Sequence, residues 1–352
     1  MTGLTTATVG GITNQFLNEG LIFKSGRRSG ERGQPASHLS INPDGGFSLG
    51  LNIDRDHLTL LAMDFSGNIR ARVSREIEFA SPADTSTFLK GAIQEIVKSK
   101  VFPMRRLAGF GVAMPDALGE TQLPGQPAAY KAWSTLDVEG FVGKLISTPV
   151  FRENDAAAAA MGELYFGKGL HSNSFYYILI SAGLGGGLVI NRRYYRGAHG
   201  RSGEIGFMPA GESSKKGPLA TLGDEVLMQD LFEMLRTAGV RVSSPGQLAK
   251  LEAPARKPVQ IWAAQVAERL YQPILTLICG IDPDAVFIGG RLPALAVDAI
   301  CDELNKRLSI SSNLTWPHAV VKRAALAEDA AAMGAAILPF MDSFLPNDSA
   351  LA

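Results

Sequence analysis

One order of secondary-structure signals occurs twice along this 352-residue chain. In each occurrence two apolar runs joined by a short turn are followed by further strand and helix patterns. The first starts near Gly45 with FSLGLNI and LTLLAMDF, and the second with SFYYILI and the glycine-rich GLGGGLVI. Two such units predict an α/β fold of two lobes, with a cleft between them where a ligand would bind.

The repeat divides the chain into three predicted units. Residues 1–44 form a short N-terminal unit, residues 45–165 the first lobe and residues 166–352 the second lobe. The chain ends in a further helix pattern, AEDAAAMGAAILPFMDSF, which we expect to pack back on the first lobe.

The composition indicates an ordinary globular protein. Lys and Arg number 34, as do Asp and Glu, so overall charge predicts no attraction to nucleic acid or membranes. No apolar run reaches the ~18 residues that span a bilayer, and no signal-peptide pattern is present. We expect Cys279 and Cys301 to be buried free thiols and the protein to be cytoplasmic.

The N-terminal unit has the pattern of the second half of a winged helix-turn-helix. Val9, Ile12 and Phe16 mark one helix face, with Thr5 as N-cap and Gly20 as the end. LIFK and HLSI predict a hairpin around a basic loop. Since a recognition helix enters the major groove, the candidate DNA-binding residues are Thr5, Thr6, Thr8, Lys24, Arg27, Arg28 and Arg32. The alternative is a solvated basic hairpin without DNA contacts.

Three stretches together resemble the repressor, open-reading-frame and kinase (ROK) family. They are ENDAAAAAMGELYFG, SAGLGGGLVINRRYYRGAHGRSGEIGFM and VFIGGRL, and the N-terminal unit is similar to the DNA-binding end of the family's repressors. The resemblance covers nearly the whole chain. It implies an actin-like ATPase (ribonuclease H-like) fold of two lobes around a sugar cleft, preceded by a partial winged helix-turn-helix.

The sugar side of the family's site is largely kept. In family kinases an Asn-Asp pair precedes an alanine-rich helix, and the Asp takes the proton from the sugar hydroxyl. Asn154 and Asp155 stand there, and Glu204 matches a sugar-contacting glutamate, so these three are the candidate sugar-binding residues. Asp155 is the general base only in a kinase, and it is also a candidate N-cap of the following helix.

The nucleotide side is altered. The kinase turn Asp-x-Gly-Gly-Thr is replaced at its diagnostic positions by Asn52, Asp54, Arg55 and Asp56. Two carboxylates are therefore expected where phosphate oxygens would lie, which argues against ATP turnover. Glycines remain in two later turns and are candidates for nucleotide binding, or for turn geometry alone: Gly183, Gly185, Gly186, Gly289 and Gly290.

The family's zinc ligands are missing as well. Phe207 stands at the histidine position, Pro218 at a cysteine and Ala220 at a second sugar-binding glutamate. Because these side chains cannot bind zinc, we expect no metal and no cofactor, with Mg-ATP required only by a kinase. His199 is expected to be a turn or surface histidine.

The sequence favours a regulator of carbohydrate metabolism, which is expected to form a homodimer. A sugar or sugar-phosphate effector in the cleft would change operator affinity, provided that the full helix-turn-helix is present. The supporting helices would precede Met1, so we expect either an upstream start or a shortened relative. The alternatives are a sugar kinase with an atypical nucleotide site and a ligand-binding remnant.

Overall fold

The N-terminal unit is a helix followed by a two-stranded hairpin. A computed structural model describes residues 3–27, 37–116, 118–120, 125–211, 217, 219–242, 244–248, 255–310 and 319–344. The unit contains α1 (Thr6–Glu19), β1 (Ile22–Arg27) and β2 (Ser37–Ile41). The Thr5 hydroxyl accepts from the Thr8 N–H at 3.2 Å, and Gly20 ends α1 in the left-handed conformation (φ 72°). Arg28 and Arg32 lie outside the described residues.

The first lobe is built on a five-stranded sheet of order β5-β4-β3-β6-β7. Its strands are β3 (Phe47–Ile53), β4 (His57–Asp64), β5 (Ile69–Glu76), β6 (Leu107–Met114) and β7 (Val150–Asn154), with helices α2 (Pro82–Ser99) and α3 (Val138–Gly143). β3, β4 and β5 are antiparallel, whereas β6 and β7 run parallel to β3. Ser81 begins α2 with a reciprocal capping box to Asp84.

The second sheet repeats this topology in the order β10-β9-β8-β11-β12. Its strands are β8 (Phe175–Ile180), β9 (Leu184–Ile190), β10 (Arg193–Tyr194), β11 (Ala285–Gly290) and β12 (Val320–Arg323). The remaining helices are α4 (Asp155–Phe166), α5 (Leu222–Glu225), α6 (Met228–Thr237), α7 (Pro245–Leu248), α8 (Arg256–Ile281), α9 (Ala294–Ile310) and α10 (Ala330–Phe344). The duplicated α/β architecture predicted from the sequence is confirmed.

Helices α4 and α10 join the two sheets. α10 packs on β3, β4 and β6 of the first sheet and on α4, while α4 packs on β8 and β9 of the second sheet. The contact is built from glycine and alanine. A Cβ atom at Gly334 would lie 1.6 Å from the Ala158 carbonyl oxygen, and one at Gly50 would lie 2.0 Å from the Ala332 oxygen. The unit boundaries at residues 44 and 165 stay predictions.

The two cysteines differ in exposure. Cys301 on α9 is buried, as expected, but Cys279 on α8 is exposed. The prediction of two buried thiols is therefore wrong for Cys279, because α8 turns Ile274 and Ile278 toward the core and leaves the intervening face in solvent. No helix within the described ranges is long and apolar enough to cross a membrane.

We expect Gly334→Ala to lower the free energy of unfolding by about 1–3 kcal/mol, because the added methyl group must push α10 away from α4. Gly91→Ala is the matched control, since Gly91 lies within α2 with open space around its Cα. It should raise stability by up to about 1 kcal/mol through helix propensity. Urea unfolding measures both, and equal effects would contradict the close packing of α4 and α10.

Candidate functional site

Two equivalent turns face each other across the cleft. Residues 54–56 connect β3 with β4 in the first lobe, and residues 181–183 connect β8 with β9 in the second. The Arg55 side chain reaches the second turn, because a Cβ atom on Gly183 would lie 2.9 Å from Arg55 Nη1. An arginine of the protein itself therefore occupies the space beside the glycine-rich turn.

The carboxylates of Asp54 and Asp56 both have hydrogen-bond or ion-pair partners within the protein. Asp54 is 3% exposed, and its Oδ1 accepts from the Arg55 N–H at 2.7 Å. Asp56 lies 2.6 Å from His57 Nδ1 and 3.2 Å from Arg291 Nη1. Burial raises the pKa of Asp56, but His57 and Arg291 outweigh it and hold that pKa below its usual value. Asp56 is therefore a compensated carboxylate, and the expected effect of the two carboxylates on ATP turnover stays a prediction.

Arg291 links the lobes. It follows β11 in the second lobe, is 7% exposed, and forms ion pairs with Asp56 and with Glu76 at the end of β5. A third carboxylate belongs to Glu328, which precedes α10, and its Oε2 lies 3.7 Å from Arg291 Nε. Because this arginine is nearly buried among first-lobe acids, it holds the first-lobe turn against the second lobe.

Four of the candidate glycines lie in strands β9 and β11, where the backbone is tightly packed. A Cβ atom at Gly290 would lie 2.0 Å from the Ile180 oxygen, and one at Gly289 would lie 2.1 Å from the Tyr177 hydroxyl. A Cβ atom at Gly186 would lie 2.4 Å from the Gly203 oxygen, and one at Gly185 would lie 2.8 Å from the Ala156 methyl group. Packing alone accounts for glycine at these positions, and nucleotide binding by them stays a prediction.

Asp54, Asp56 and His57 are close enough to share a metal ion, with candidate ligand atoms within 4.8 Å of one another. Within this cluster Asp56 already has two partners of the protein, His57 Nδ1 and Arg291 Nη1. His57 Nε2 lies 3.2 Å from Asn52 Nδ2. The expected absence of a metal stays a prediction.

Asn154 and Asp155 open α4 and have separate local roles. Asn154 Oδ1 accepts from the N–H groups of Ala156 and Ala157 at 2.9 and 3.1 Å, so Asn154 is the N-cap. The alternative in which Asp155 caps the helix is wrong, because Asp155 is already its first residue, although its Oδ1 accepts from Ala156. Burial and the Asp54 carboxylate raise the pKa of Asp155 to about 7.

A cavity of about 310 Å³ opens beside Asn154. Its lining is strongly charged and consists of Asp116, Arg152, Glu153, Asn154, Arg196, His199, Gly200 and Arg201. Asn154 Nδ2 donates to Asp116 Oδ2 at 3.4 Å. Burial and Asp116 raise the pKa of the half-buried Glu204, which in turn acts on Asp155. Of the three candidate sugar-binding residues, Asn154 lines this cavity, while Asp155 and Glu204 interact electrostatically. Sugar binding by the three residues stays a prediction.

The cavity lining includes residues that the sequence analysis did not propose as site residues. Glu153 is buried, accepts from the Asn154 N–H at 3.0 Å and pairs with Arg196. Burial raises the pKa of Glu153, and Arg196 opposes that shift. Only its position next to the Asn-Asp pair could have indicated Glu153, whereas no local pattern indicates Asp116. His199 is exposed, as expected, but it also lines the cavity.

The region of the missing zinc ligands is partly described. Phe207 is 71% exposed and Ala220 is buried. Pro209 pairs with Thr221 in an isolated antiparallel bridge, and the Ala210 N–H donates to the Ala220 oxygen at 2.9 Å. The ends of this loop are thus held together by backbone bonds. Pro218 and residues 212–216 lie outside the described residues.

Comparison with known proteins decides the family. Residues 48–225, half of the chain, match the sequence profile of the ROK family. The chain belongs to the ROK family. Both the resemblance drawn from the sequence and the expected actin-like fold are confirmed; the helix-turn-helix part stays a prediction.

Sequence relatives and solved structures include both repressors and kinases. The xylose repressor of Bacillus spizizenii is 32% identical over 59% of this chain and 54% of its own length. The ROK family transcriptional regulator structure, a homolog of the E. coli MLC protein, has a TM-score of 0.65 at 21% identity, covering 96% of this chain and 88% of that one. A ROK glucokinase from Streptomyces griseus, in complex with glucose and AMPPNP, also scores 0.65, at 20% identity over 83% of this chain and 99% of its own.

We expect Asp155→Asn to gain stability relative to the native chain as pH rises from 5 to 8. The folded-state pKa of Asp155, about 7, lies above its ordinary value of 3.8, so the folded state binds more protons in this window. Its stability therefore falls as pH rises toward 7, and asparagine removes that loss. Urea unfolding at several pH values measures it, with Asp302→Asn on the exposed side of α9 as control. If the difference in unfolding free energy between Asp155→Asn and the native chain stayed constant from pH 5 to 8, this expectation would be contradicted.

Proposed function

We propose that this protein is a transcriptional regulator of carbohydrate metabolism that binds a sugar-like effector and does not transfer phosphate from ATP. The observation that carries the proposal is the contrast between the two sides of the cleft. Asn154, Asp155 and Glu204 remain on the sugar side, whereas Arg55 and Arg291 cross the space between the lobes on the nucleotide side. Similarity to xylose repressors supports a role in regulation rather than in catalysis.

The structure offers a physical route from the cleft to the N-terminal unit. Arg106 Nη1 donates to the carbonyl oxygens of Glu19 and Gly45 at 2.8 and 3.0 Å, and Asn42 Nδ2 donates to the Gly20 oxygen at 2.7 Å. These bonds fix the end of α1 to the start of β3, whose other end leads into the turn with Arg55. A change in the angle between the lobes would therefore move α1 with the first lobe.

The N-terminal unit presents its candidate DNA contacts to solvent. No residue of α1 is buried, and Thr5, Thr6, Thr8 and Lys24 are exposed. Val9, Ile12 and Phe16 are also 39–45% exposed, so the apolar face of α1 has no cover within the described residues. An uncovered apolar face suits packing against further protein, whereas the exposed threonine hydroxyls and the Lys24 ammonium group suit contacts with DNA phosphates. We propose that operator DNA is the partner.

We also propose that the protein works as a cytoplasmic homodimer, without zinc and without Mg-ATP. A sugar kinase is the alternative function, because Asp155 has a pKa suited to a general base near neutral pH and kinases share the fold.

We expect no magnesium-dependent release of ADP from ATP with a panel of hexoses, pentoses and N-acetylhexosamines. A triphosphate would have to displace Arg55 from the Gly183 turn and break the buried pairs of Arg291. The measurement is a coupled ADP assay with a ROK glucokinase as positive control. Turnover at about 1–100 per second, abolished by Asp155→Asn, would establish the kinase alternative.

We expect Lys24→Gln to weaken binding to the promoter region of the protein's own gene and to reduce the salt dependence of binding by about one ion. The reason is that an exposed lysine on the hairpin is placed to neutralise one phosphate. Fluorescence anisotropy over a salt series measures this. Lys98→Gln, on the exposed side of α2, is the matched control, and equal slopes for both variants would contradict a DNA-contacting hairpin.

A further inference from the structure

Arg55 is a half-buried arginine whose charge has no direct partner. Its guanidinium group makes no hydrogen bond or ion pair with any part of the chain that the structure describes. Its backbone N–H donates to Asp54, and its carbonyl oxygen accepts from the Phe79 N–H at 2.6 Å. Two neighbouring arginines of the cleft differ in this respect. Arg291 pairs with Asp56 and Glu76, and Arg196 pairs with Glu153. A partly desolvated cation without a partner favours an external anion.

The position of Arg55 defines where that anion would lie. The guanidinium rests against Gly183 in the second-lobe turn and acts electrostatically on Asp155 and on the buried Tyr130. It therefore lies between the glycine turn and the carboxyl group that faces the sugar side. A group attached to the sugar hydroxyl nearest Asp155 would meet the guanidinium.

We propose that Arg55 binds an anionic substituent of the effector, so that the preferred ligand is a monosaccharide carrying a phosphate ester or a carboxylate. This inference rests on the proposed sugar-effector function. The planar guanidinium group presents paired N–H donors that match both phosphate and carboxylate oxygens. The chain has thus replaced a glycine that approaches ATP with a side chain that recognises the anion directly.

Asp155 is suited to the same ligand. The groups that face it are Asp54 and Arg55 from the first-lobe turn and Glu204 from the second lobe. With a pKa of about 7, Asp155 is largely protonated in mildly acidic solution and can donate a hydrogen bond to an anionic oxygen. A bound anion stabilises that proton further, so binding takes up protons near neutral pH.

A single anion fits where a triphosphate does not. Arg291 joins Asp56 and Glu76 of the first lobe to the second lobe, and a phosphate tail that extends between the lobes would have to part these ion pairs. Arg55 carries its charge on a flexible side chain and can turn toward one substituent without opening the lobes. The inference therefore concerns a substituted sugar rather than a nucleotide.

Isothermal titration calorimetry with matched ligands tests the proposal. The probes are glucose, glucose 6-phosphate and glucuronic acid, which differ at one carbon, together with xylose and xylose 5-phosphate. We expect at least one anionic probe to bind about tenfold or more tightly than its neutral parent, the gain of one charge-assisted contact. The phosphate and carboxylate arms distinguish the two sources of the anion. Titration in buffers of different ionisation enthalpy at pH 7 should show proton uptake.

Three variants separate the role of Arg55 from general effects. Arg55→Gln should abolish the preference for the anion while keeping the affinity for the neutral sugar, and Arg55→Lys should retain part of the preference. Arg236→Gln changes an exposed arginine on α6, paired only with Glu233, and should behave like the native chain. Far-ultraviolet circular dichroism confirms that each variant is folded.

The outcomes separate this inference from the proposed function. Equal binding of neutral and anionic sugars, unchanged in Arg55→Gln, would overturn the inference and leave the sugar-effector function standing. Binding of inorganic phosphate alone, with no sugar discrimination, would also overturn it. If no probe binds to the native chain, the sugar-effector function fails and the inference fails with it.

Discussion

The close contact of α4 with α10 is the constraint on which the arrangement of the two lobes depends. Gly334 and Ala158 meet backbone to backbone, so the helices approach more closely than larger side chains would allow. Since α10 lies on the first sheet and α4 on the second, this contact sets the distance between the sheets. That distance brings residues 54–56 and 181–183, two topologically equivalent turns, to opposite sides of one cleft.

Within that cleft two cations of the protein lie between the lobes: Arg55 beside Gly183, and Arg291 beside Asp56. The sequence predicted two carboxylates in the turn at residues 54–56, and the structure shows which groups surround them. Asp56 does not face the cleft as a free negative charge, because His57 and Arg291 compensate it. Exclusion of ATP by Arg55 and Arg291 stays a proposal.

The sugar side shows how one short segment serves structure and binding together. Asn154 caps α4 with its side-chain oxygen and donates to Asp116 with its amide nitrogen. Because Asn154 is the N-cap, its neighbour Asp155 does not have to cap the helix. Burial and the nearby Asp54 carboxylate raise the pKa of Asp155 to about 7, so this group changes its protonation near neutral pH.

The sequence by itself determined the elements whose causes are local. Thr5 and Gly20 bounded α1, apolar runs joined by short turns identified both sheets, and the Asn154-Asp155 pair marked the start of α4. Only the tertiary structure decided which charges meet across the cleft. Arg291 and Glu76 are 215 positions apart, and no local pattern couples them. Their pairing depends on the distance between two sheets, which the packing of small residues in α4 and α10 fixes.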